Sequence, residues 1–453
     1  MMIISIWVMW KERDGKPTSS TPYKEVFLPK TIEAGSKAKY VIDLAMDEQG
    51  NFNIHSKSYI QNNSTDPWGE LVFYFLPNIF TETHSPQLKK PAFTNIDSIQ
   101  VNEETVDFSL DKDSLKIILN KEQLPSETFV VDIKYKFTLP EKGFRFTKIE
   151  ENYFLAQWYP MIATYRDHQW NKEDYRGKGE TYHTSFSDFE ITYNLPEGLT
   201  IISSGEEKNP SKQSGVLTAE NIKEFYIALL KEPNIVEKQV NEINLRIIDV
   251  DDSTELHNEL LDAAGEALTY FQNNIGPYPH EQLDIILDET GMEYPGVVTV
   301  GASNNGRNLA RIITHEIAHQ WFYGVVNNDP YHNAWLDEGI SEFATDLFFS
   351  QGERKEMYEK RNVFKEYPLP INLPLDKYTL GEQSNYIYGK SSKMLSNLLL
   401  GERIKIKAED FLKHYYEAYQ YKEIDTKEFV RFSKYYLNLD DDDFIGWLQL
   451  DDS

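Results

Sequence analysis

The 453-residue chain contains no cysteine. A chain without thiols can form no disulfide, and it offers no thiolate ligand to a metal ion. If this protein binds zinc, the ligands must therefore be histidine and carboxylate side chains.

Positive charge is also scarce, because 46 lysines and arginines face 73 aspartates and glutamates, for a formal net charge of −27. Nucleic-acid-binding surfaces need clustered cations that neutralise phosphates, so the charge argues against a nucleic-acid partner. Hydrophobic residues make up 40% of the chain, which is typical of a folded protein and not of a disordered one. The length predicts two or three domains.

Long apolar runs are missing, and the one notable apolar segment covers residues 1–10. This segment is too short to span a bilayer, and it has neither a basic leading region nor a small-residue cleavage site. Residues 1–22 are therefore predicted to be an apolar N-terminal segment and linker, either the end of a membrane anchor or an N-terminal strand. Membrane association is expected only through this segment. The favoured location is extracellular or membrane-anchored in a bacterium, with the cytoplasm as the alternative.

The pattern of hydrophobic residues changes near residue 250. Before it, residues alternate between apolar and polar, as in 37–44 and 52–60, which predicts β-strands. After it, apolar residues recur at three- and four-residue steps, which predicts helices. Strands followed by helices indicate separate domains, so we predict a β-rich domain over 23–250 and a catalytic domain with C-terminal helices over 251–453.

The sequence His315-Glu-Ile-Ala-His319 lies within an amphipathic pattern that predicts a helix over 308–324. Residues four positions apart share one face of a helix, which places the two imidazoles side by side. Two such imidazoles can bind one zinc ion, with Glu316 beside them as the general base of a hydrolase.

A catalytic zinc site needs a third protein ligand and one open position. No histidine follows in 320–325, so the ligand is predicted to be a carboxylate on the next helix. Glu338, nineteen positions after His319, is the residue that we predict, and Asp337 is the alternative, about 100° away around a helix. We therefore expect one Zn²⁺ per chain.

The spacing from His315 to Glu338, together with the Trp-Leu-Asp-Glu-Gly segment at 335–339, resembles the aminopeptidase N family of gluzincin zinc metallopeptidases. Residues 276–279 (Gly-Pro-Tyr-Pro) and 388–395 are also similar to segments of that family. The resemblance implies a short bacterial-type member with a multidomain β plus α/β fold, in which a saddle-like β domain precedes a thermolysin-like catalytic domain. It also implies a zinc-dependent aminopeptidase that acts on peptides.

The resemblance assigns further roles. Glu293 matches the family glutamate that holds the substrate amine, although Tyr294 stands where the family has asparagine. Tyr388 matches the tyrosine that stabilises the oxyanion, and Tyr386 is its nearest rival. If Tyr294 disables amine binding, a zinc endopeptidase is the alternative, and a catalytically silent peptide-binding module is a further one.

Three other residues are candidates for supporting roles. Glu342 and Asp346 lie four and eight positions after Glu338, on a similar helix face, and either could hydrogen-bond a ligand histidine. Gln157, in an aromatic segment of the β domain, is a candidate to reach the substrate end.

Overall fold

The computed structural model describes residues 26–177, 179–206, 210–250, 255–288, 291–301, 306–351, 367–401 and 404–450. The N-terminal segment predicted over 1–22 lies outside the described residues. Among the described helices, none is long and apolar enough to cross a membrane.

The first half of the chain is built from β-strands, as the alternating pattern predicts. The strands are β1 (Ser36–Met46), β2 (Phe52–Asn62), β3 (Trp68–Tyr74), β4 (Thr94–Val101), β5 (Glu104–Thr105), β6 (Phe108–Asp111), β7 (Ser114–Gln123), β8 (Thr128–Phe137), β9 (Phe146–Ile149), β10 (Asn152–Leu155), β11 (Met161–Ile162), β12 (Thr164–Arg166), β13 (Gln169–Asn171), β14 (Ser187–Asn194), β15 (Leu199–Ser203), β16 (Ser214–Ile222) and β17 (Ile227–Lys231). A 3₁₀ turn, Leu76–Phe80, follows β3.

The largest sheet has the order β16-β14-β1-β2-β8-β4-β5. Strand β1 pairs antiparallel with β2 and parallel with β14. Every second residue of β1 and β2 is buried, so one face of this sheet is apolar and must be covered. Two four-stranded sheets, β15-β17-β10-β9 and β11-β3-β7-β6, contribute to the same hydrophobic core.

The second half is a mixed α/β unit with helices towards the C-terminus. Its elements are β18 (Asn234–Val240), β19 (Ile243–Asp249), α1 (His257–Asn274), β20 (Gln282–Asp288), β21 (Val297–Gly301), α2 (Gly306–Ala318), β22 (Val326–Asn327), α3 (Trp335–Phe349), α4 (Ser391–Leu399), α5 (Ala408–Tyr419), β23 (Lys422–Glu423) and α6 (Thr426–Leu437). Shorter turns are the 3₁₀ segments Leu375–Lys377 and Asp441–Asp443 and the π-helical segment Asn385–Lys390.

The sheet of the second unit has the order β18-β19-β20-β21. Strands β18 and β19 therefore pair with the α/β unit, although they precede residue 250, where the hydrophobic pattern changes. The reason is that β19 and β20 pair in parallel, with α1 in the connection between them, as parallel pairing requires. The pairing indicates that the second unit begins near residue 234, and the division at 250 stays a prediction.

There are two large hydrophobic cores among the described residues. One lies mainly in the β-rich part and also includes Ile286, Tyr294 and Tyr323 of the α/β unit, and the other lies around the sheet and helices of the α/β unit. Helix α2 lies between α1, α3 and strand β21, which fixes the end of α2 against the start of α3. A β-rich N-terminal part followed by an α/β part is the fold class that the sequence predicts.

Candidate metal centre and active site

The two histidines of the motif lie at the C-terminal end of α2, and Glu338 lies in the first turn of α3. The Nε2 atoms of His315 and His319 are 3.0 Å apart. Glu338 Oε2 lies 3.3 Å from the first of these nitrogens and 3.1 Å from the second. The α2–α3 packing thus brings three potential ligand atoms to one point.

These atoms fit a zinc ion. Zinc binds nitrogen and oxygen ligands at about 2.0–2.1 Å in tetrahedral geometry, which separates neighbouring ligand atoms by about 3.3 Å. The observed separations of 3.0–3.3 Å match this value. Two neutral imidazole nitrogens that face each other and a carboxylate oxygen are the donor set expected around a cation.

Asp337, the alternative ligand, lies outside this cluster. Its Oδ2 atom accepts a hydrogen bond of 3.1 Å from Asn328 Nδ2, and its Oδ1 atom accepts one of 2.7 Å from the backbone N–H of Glu338. Burial and the neighbouring Glu338 charge raise the pKa of Asp337 to about 7. The structure therefore brings Glu338 to the histidines, and it leaves Asp337 beneath them.

The chain of contacts continues outward from His315. Its Nδ1 atom lies 3.2 Å from a Glu342 carboxylate oxygen. Arg311 Nη2 donates to Glu342 at 2.6 Å and to Asp346 at 2.9 Å, and Ser392 Oγ donates to Asp346 at 2.7 Å. Glu342 thus contacts the histidine directly, whereas Asp346 contacts Arg311 and Ser392.

Carboxylates dominate the charges around the two imidazoles. Burial lowers the pKa of His315, but the Glu338 and Glu342 carboxylates outweigh it and raise that pKa to about 10. For His319, burial is similarly outweighed by Glu293 and Glu338, which raise its pKa to about 9. A site that favours positive charge so strongly is suited to a divalent cation.

Glu316 and Glu293 lie on another side of the same cluster. One carboxylate oxygen of each and a nitrogen of His319 all lie within 4.8 Å of one another. Both glutamates are buried, and this burial raises the pKa of each carboxyl above its usual range. Gly291 lies against this group, because a Cβ there would lie 3.3 Å from Glu316 Oε1.

The two candidate tyrosines of the π-helical segment point to different places. Tyr388 OH donates a hydrogen bond to Glu338 Oε1, and its ring centroid lies 5.6 Å from that of His315. Tyr386 instead stacks on Tyr378, with ring centroids 4.8 Å apart, in a separate small aromatic cluster. Only Tyr388 of the pair reaches the predicted ligands.

Tyr294 packs against the β-rich part. Its ring stacks on Tyr226 at a centroid distance of 4.1 Å and an interplanar angle of 8°, and the residue is 1% exposed. Tyr294 therefore holds the segment that carries Glu293 against the β-rich part.

The β-rich part contributes charged and polar groups that the motifs do not reveal. Arg145 Nη1 forms an ion pair of 2.7 Å with Glu180. Burial raises the pKa of Glu293 most, and the nearby Glu180 carboxylate is the next largest cause of this increase. Gln157 is buried and donates through Nε2 to Glu224. No spacing in the sequence links these positions, because each pair is formed by contacts between distant segments.

Comparisons with known proteins agree with this geometry. The model of the peptidase family M1 domain matches residues 260–445. Leukotriene A-4 hydrolase of Xenopus laevis is 27% identical over 211 residues, which cover 40% of this chain and 34% of that protein. Aminopeptidase N of Homo sapiens is 26% identical over 261 residues, which cover 47% of this chain and 27% of that protein. The chain thus spans about a third or less of the length of these curated relatives.

Solved structures match over far more of the chain. An M1 zinc metallopeptidase mutant from Deinococcus radiodurans superposes with a TM-score of 0.64 and 16% identity, covering 89% of this chain and 92% of that one. A two-domain M1 zinc metallopeptidase bound to L-tryptophan gives the same TM-score over 90% of this chain and 93% of that one. The resemblance and the fold class predicted from the sequence are confirmed: residues 260–445 match the peptidase family M1 domain, and we call this region the M1 domain, while the chain as a whole has the fold of the two-domain M1 zinc metallopeptidases.

Proposed function

We propose that the protein is a zinc-dependent aminopeptidase that removes N-terminal residues from peptides. The observation that carries this proposal is the convergence of His315, His319 and Glu338 on one point, with Glu316 and Glu293 beside them. This cluster lies within the M1 domain. The relatives named aminopeptidase N and glutamyl aminopeptidase support the same reaction class.

His315, His319 and Glu338 would hold the zinc ion. When bound, zinc acts as a Lewis acid and lowers the pKa of water enough to make a nucleophile near neutral pH. Glu316 would take the proton of the attacking water and deliver it to the leaving amine, a role that suits a buried carboxyl of raised pKa. Glu316 would therefore act as the general base and then as the general acid of the reaction.

Tyr388 would donate its hydroxyl proton in a hydrogen bond to the oxyanion that forms at the scissile carbonyl. The hydroxyl already lies at the ligand carboxylate, bonded to Glu338 Oε1. A neutral phenol is required for this donation, and burial raises the pKa of Tyr388 well above its usual range.

Glu293 would pair with the N-terminal ammonium of the substrate, which fixes cleavage after the first residue. The proximity of the Glu293 carboxylate to Glu316 and His319 supports this role. A solved M1 zinc metallopeptidase mutant of the same fold has a Tyr-Ser-Ala substrate bound.

The test is elemental analysis of zinc combined with hydrolysis of L-alanine and L-leucine p-nitroanilides. We expect about one zinc per chain, activity that chelation removes and zinc restores, and no hydrolysis of N-acetyl-leucine p-nitroanilide. Cleavage of N-acetylated peptides at internal bonds would instead establish an endopeptidase. Bound zinc with no hydrolysis of either class would establish a silent peptide-binding module, and absence of zinc would overturn the ligand assignment.

A further inference from the structure

The sheet that contains β3 and β7 has a cavity on its outer face, in the β-rich part. Leu71 and Phe73 of β3 and Leu115 and Ile117 of β7 are 0% exposed and belong to the core. Because side chains alternate across a strand, the neighbours of these residues point to the opposite face. The β12–β13 hairpin covers part of that face and encloses a cavity of about 470 Å³. This volume lies within the range of small-ligand sites, about 300–1,000 Å³.

Three aromatic side chains line the cavity. Trp68 is 2% exposed, and its ring centroid lies 4.7 Å from that of Trp170 and 5.4 Å from that of Tyr165, which are both only partly buried. Trp170 Nε1 donates to the backbone carbonyl of Glu70 at 3.1 Å, and Tyr165 OH donates to Asp66 Oδ2 at 3.0 Å. Since these polar atoms are already bonded, the two rings offer a ligand rigid apolar faces.

The hairpin that carries two of these rings is held in a fixed conformation. Asp167 and His168 at its tip have positive φ angles of 52° and 64°. Glycine adopts such angles at little cost, whereas a residue with a Cβ does so only where contacts hold it. His168 Nδ1 lies 2.8 Å from Asp66 Oδ2, and Tyr74 OH donates to the backbone carbonyl of Asn171 at 3.3 Å. The cavity is therefore formed before a ligand arrives, which lowers the entropic cost of binding.

Polar groups of both kinds surround the aromatic rings. Glu70, Lys116 and Gln169 line the cavity. Within the part of the chain that the structure describes, the side chains of these three residues form no hydrogen bond or ion pair. They supply one negative charge, one positive charge and one amide. The cavity thus offers a ligand both donors and acceptors, without a net charge.

The charges exclude two classes of ligand. Lys172 also lines the cavity, but its ammonium is bound by Asp113 at 2.9 Å and by Asp174 at 3.2 Å. An anionic ligand such as a nucleic acid needs several unpaired cations, and the cavity does not provide them. A wholly apolar ligand would leave the charges of Glu70 and Lys116 without partners.

A sugar fits both the rings and the polar groups. Each hydroxyl of a sugar donates one hydrogen bond and accepts others, so a hydroxyl-rich ligand uses acids, amides and ammonium groups together. The C–H groups of a sugar ring carry a small positive charge, and the faces of aromatic rings are negative, so the two pack against each other.

We propose that this cavity binds an oligosaccharide, with sugar rings packed against Tyr165 and Trp170 and hydroxyl groups bonded to Glu70, Lys116 and Gln169. None of these residues is among those predicted for the metal centre or for the peptide substrate, so the inference extends beyond the proposed function. The β-rich part would then attach the protein to a glycan, while the M1 domain acts on peptides.

The test is isothermal titration calorimetry of the full chain with cellohexaose, chitohexaose and maltohexaose. We expect saturable binding of at least one of the three. Trp170→Ala should weaken that binding about tenfold, because it removes an aromatic face. Gln169→Ala should weaken it about fivefold, because it removes the hydrogen bonds of one amide.

Two matched controls lie away from the cavity. Tyr59→Ala removes a ring that is 41% exposed on β2, and Gln213→Ala removes an exposed glutamine just before β16. Both variants should leave the affinity unchanged. Gln169 is exposed, so Gln169→Ala tests the proposal even if Trp170→Ala does not fold. Circular dichroism establishes which variants are folded.

Three results would contradict the proposal. The first is a folded wild-type protein that binds none of the three oligosaccharides, and the second is binding that Trp170→Ala and Gln169→Ala leave unchanged. The third is binding of N-acetyl-trialanine amide in place of a sugar, weakened by Trp170→Ala, which would make the cavity a peptide subsite. Binding is measured without hydrolysis, so a failure of the aminopeptidase proposal would leave this inference standing.

Discussion

The predicted metal centre and the buried cluster around Glu224, which accepts hydrogen bonds from Gln157, Tyr182 and Tyr323, are assembled by the chain in opposite ways. The three predicted zinc ligands lie within 23 positions, on the end of one helix and the start of the next. The contacts of Glu224 join residues that are 67 and 99 positions apart and come from both parts of the molecule. The first site needs only the packing of two consecutive helices, whereas the contacts of Glu224 form only when the β-rich part packs on the M1 domain.

The difference suggests that the two sets of residues have separate roles. The residues proposed to bind zinc and to transfer the proton, His315, Glu316, His319 and Glu338, are carried by one short segment, so their geometry depends on the α2–α3 packing. Groups expected to lie near the substrate end come partly from the other unit, where Gln157 is a candidate and Tyr226 stacks on Tyr294, the neighbour of Glu293. Variants of the first kind should change kcat or zinc binding, and variants of the second kind should change KM.

The largest effect is expected for Glu316→Gln. It removes the proton acceptor of the metal centre and leaves recognition intact, so kcat should fall by about 10³-fold with KM and zinc content unchanged. Steady-state kinetics on L-leucine p-nitroanilide with elemental analysis measure this effect. Glu417→Gln, at an exposed position on α5, is the matched control and should leave kcat, KM and zinc content unchanged. Retention of more than a tenth of the wild-type kcat would rule out Glu316 as the base.

The next largest effect is expected for Tyr388→Phe, which removes one hydroxyl. Loss of a donor to the oxyanion typically lowers kcat by about 10²-fold, with little change in KM. Tyr386→Phe is the control two positions away, because that ring packs against Tyr378 and not against the ligands. If Tyr386→Phe proved the more damaging variant, the assignment of the two tyrosines would be reversed.

The sequence predicts the metal centre better than it predicts the buried residues around that centre. The four-residue step from His315 to His319 and the carboxylates of the next helix can be recognised in the sequence from helical periodicity and the ligand preferences of zinc. Glu224 carries no such signal, because a glutamate between strands β16 and β17 is ordinarily a solvent-exposed residue. The strands β18 and β19 show a similar limit: their alternation predicts strands, but only the parallel pairing with β20 reveals which sheet they join.

A smaller effect is expected for Glu342→Gln. The carboxylate lies 3.2 Å from His315 Nδ1, and from this position we expect it to orient the ring and to make it a stronger ligand. Zinc affinity should fall about 10–100-fold, measured by competition with a chromogenic chelator, while kcat of the zinc-loaded protein changes less. Ser392→Ala, which removes a hydrogen bond to Asp346 and not to Glu342, should weaken zinc binding less. Equal zinc affinity in wild type and Glu342→Gln would remove Glu342 from the metal centre.

The smallest effect concerns stability at the junction between the two parts. Asp329 accepts hydrogen bonds from the backbone and side chain of His332 and from Asn171 of the β-rich part. Burial acts to raise the pKa of Asp329, but its bonds to His332 and the nearby His183 outweigh burial and hold that pKa well below its usual range. A carboxyl with a depressed folded-state pKa stabilises the fold above its unfolded value of about 3.9, and this contribution is lost as the pH falls through the folded pKa.

Asp329→Asn should therefore lower the free energy of unfolding by about 1 kcal/mol at pH 7, and the difference from wild type should shrink as the pH falls below about 4. Urea unfolding at a series of pH values, followed by tryptophan fluorescence, measures this difference. Asp262→Asn at an exposed surface pair with Lys238 is the matched control and should change stability little at any pH. A difference that stays constant down to pH 2 would mean that the Asp329 charge does not stabilise the junction, and that only the shape of the side chain matters there.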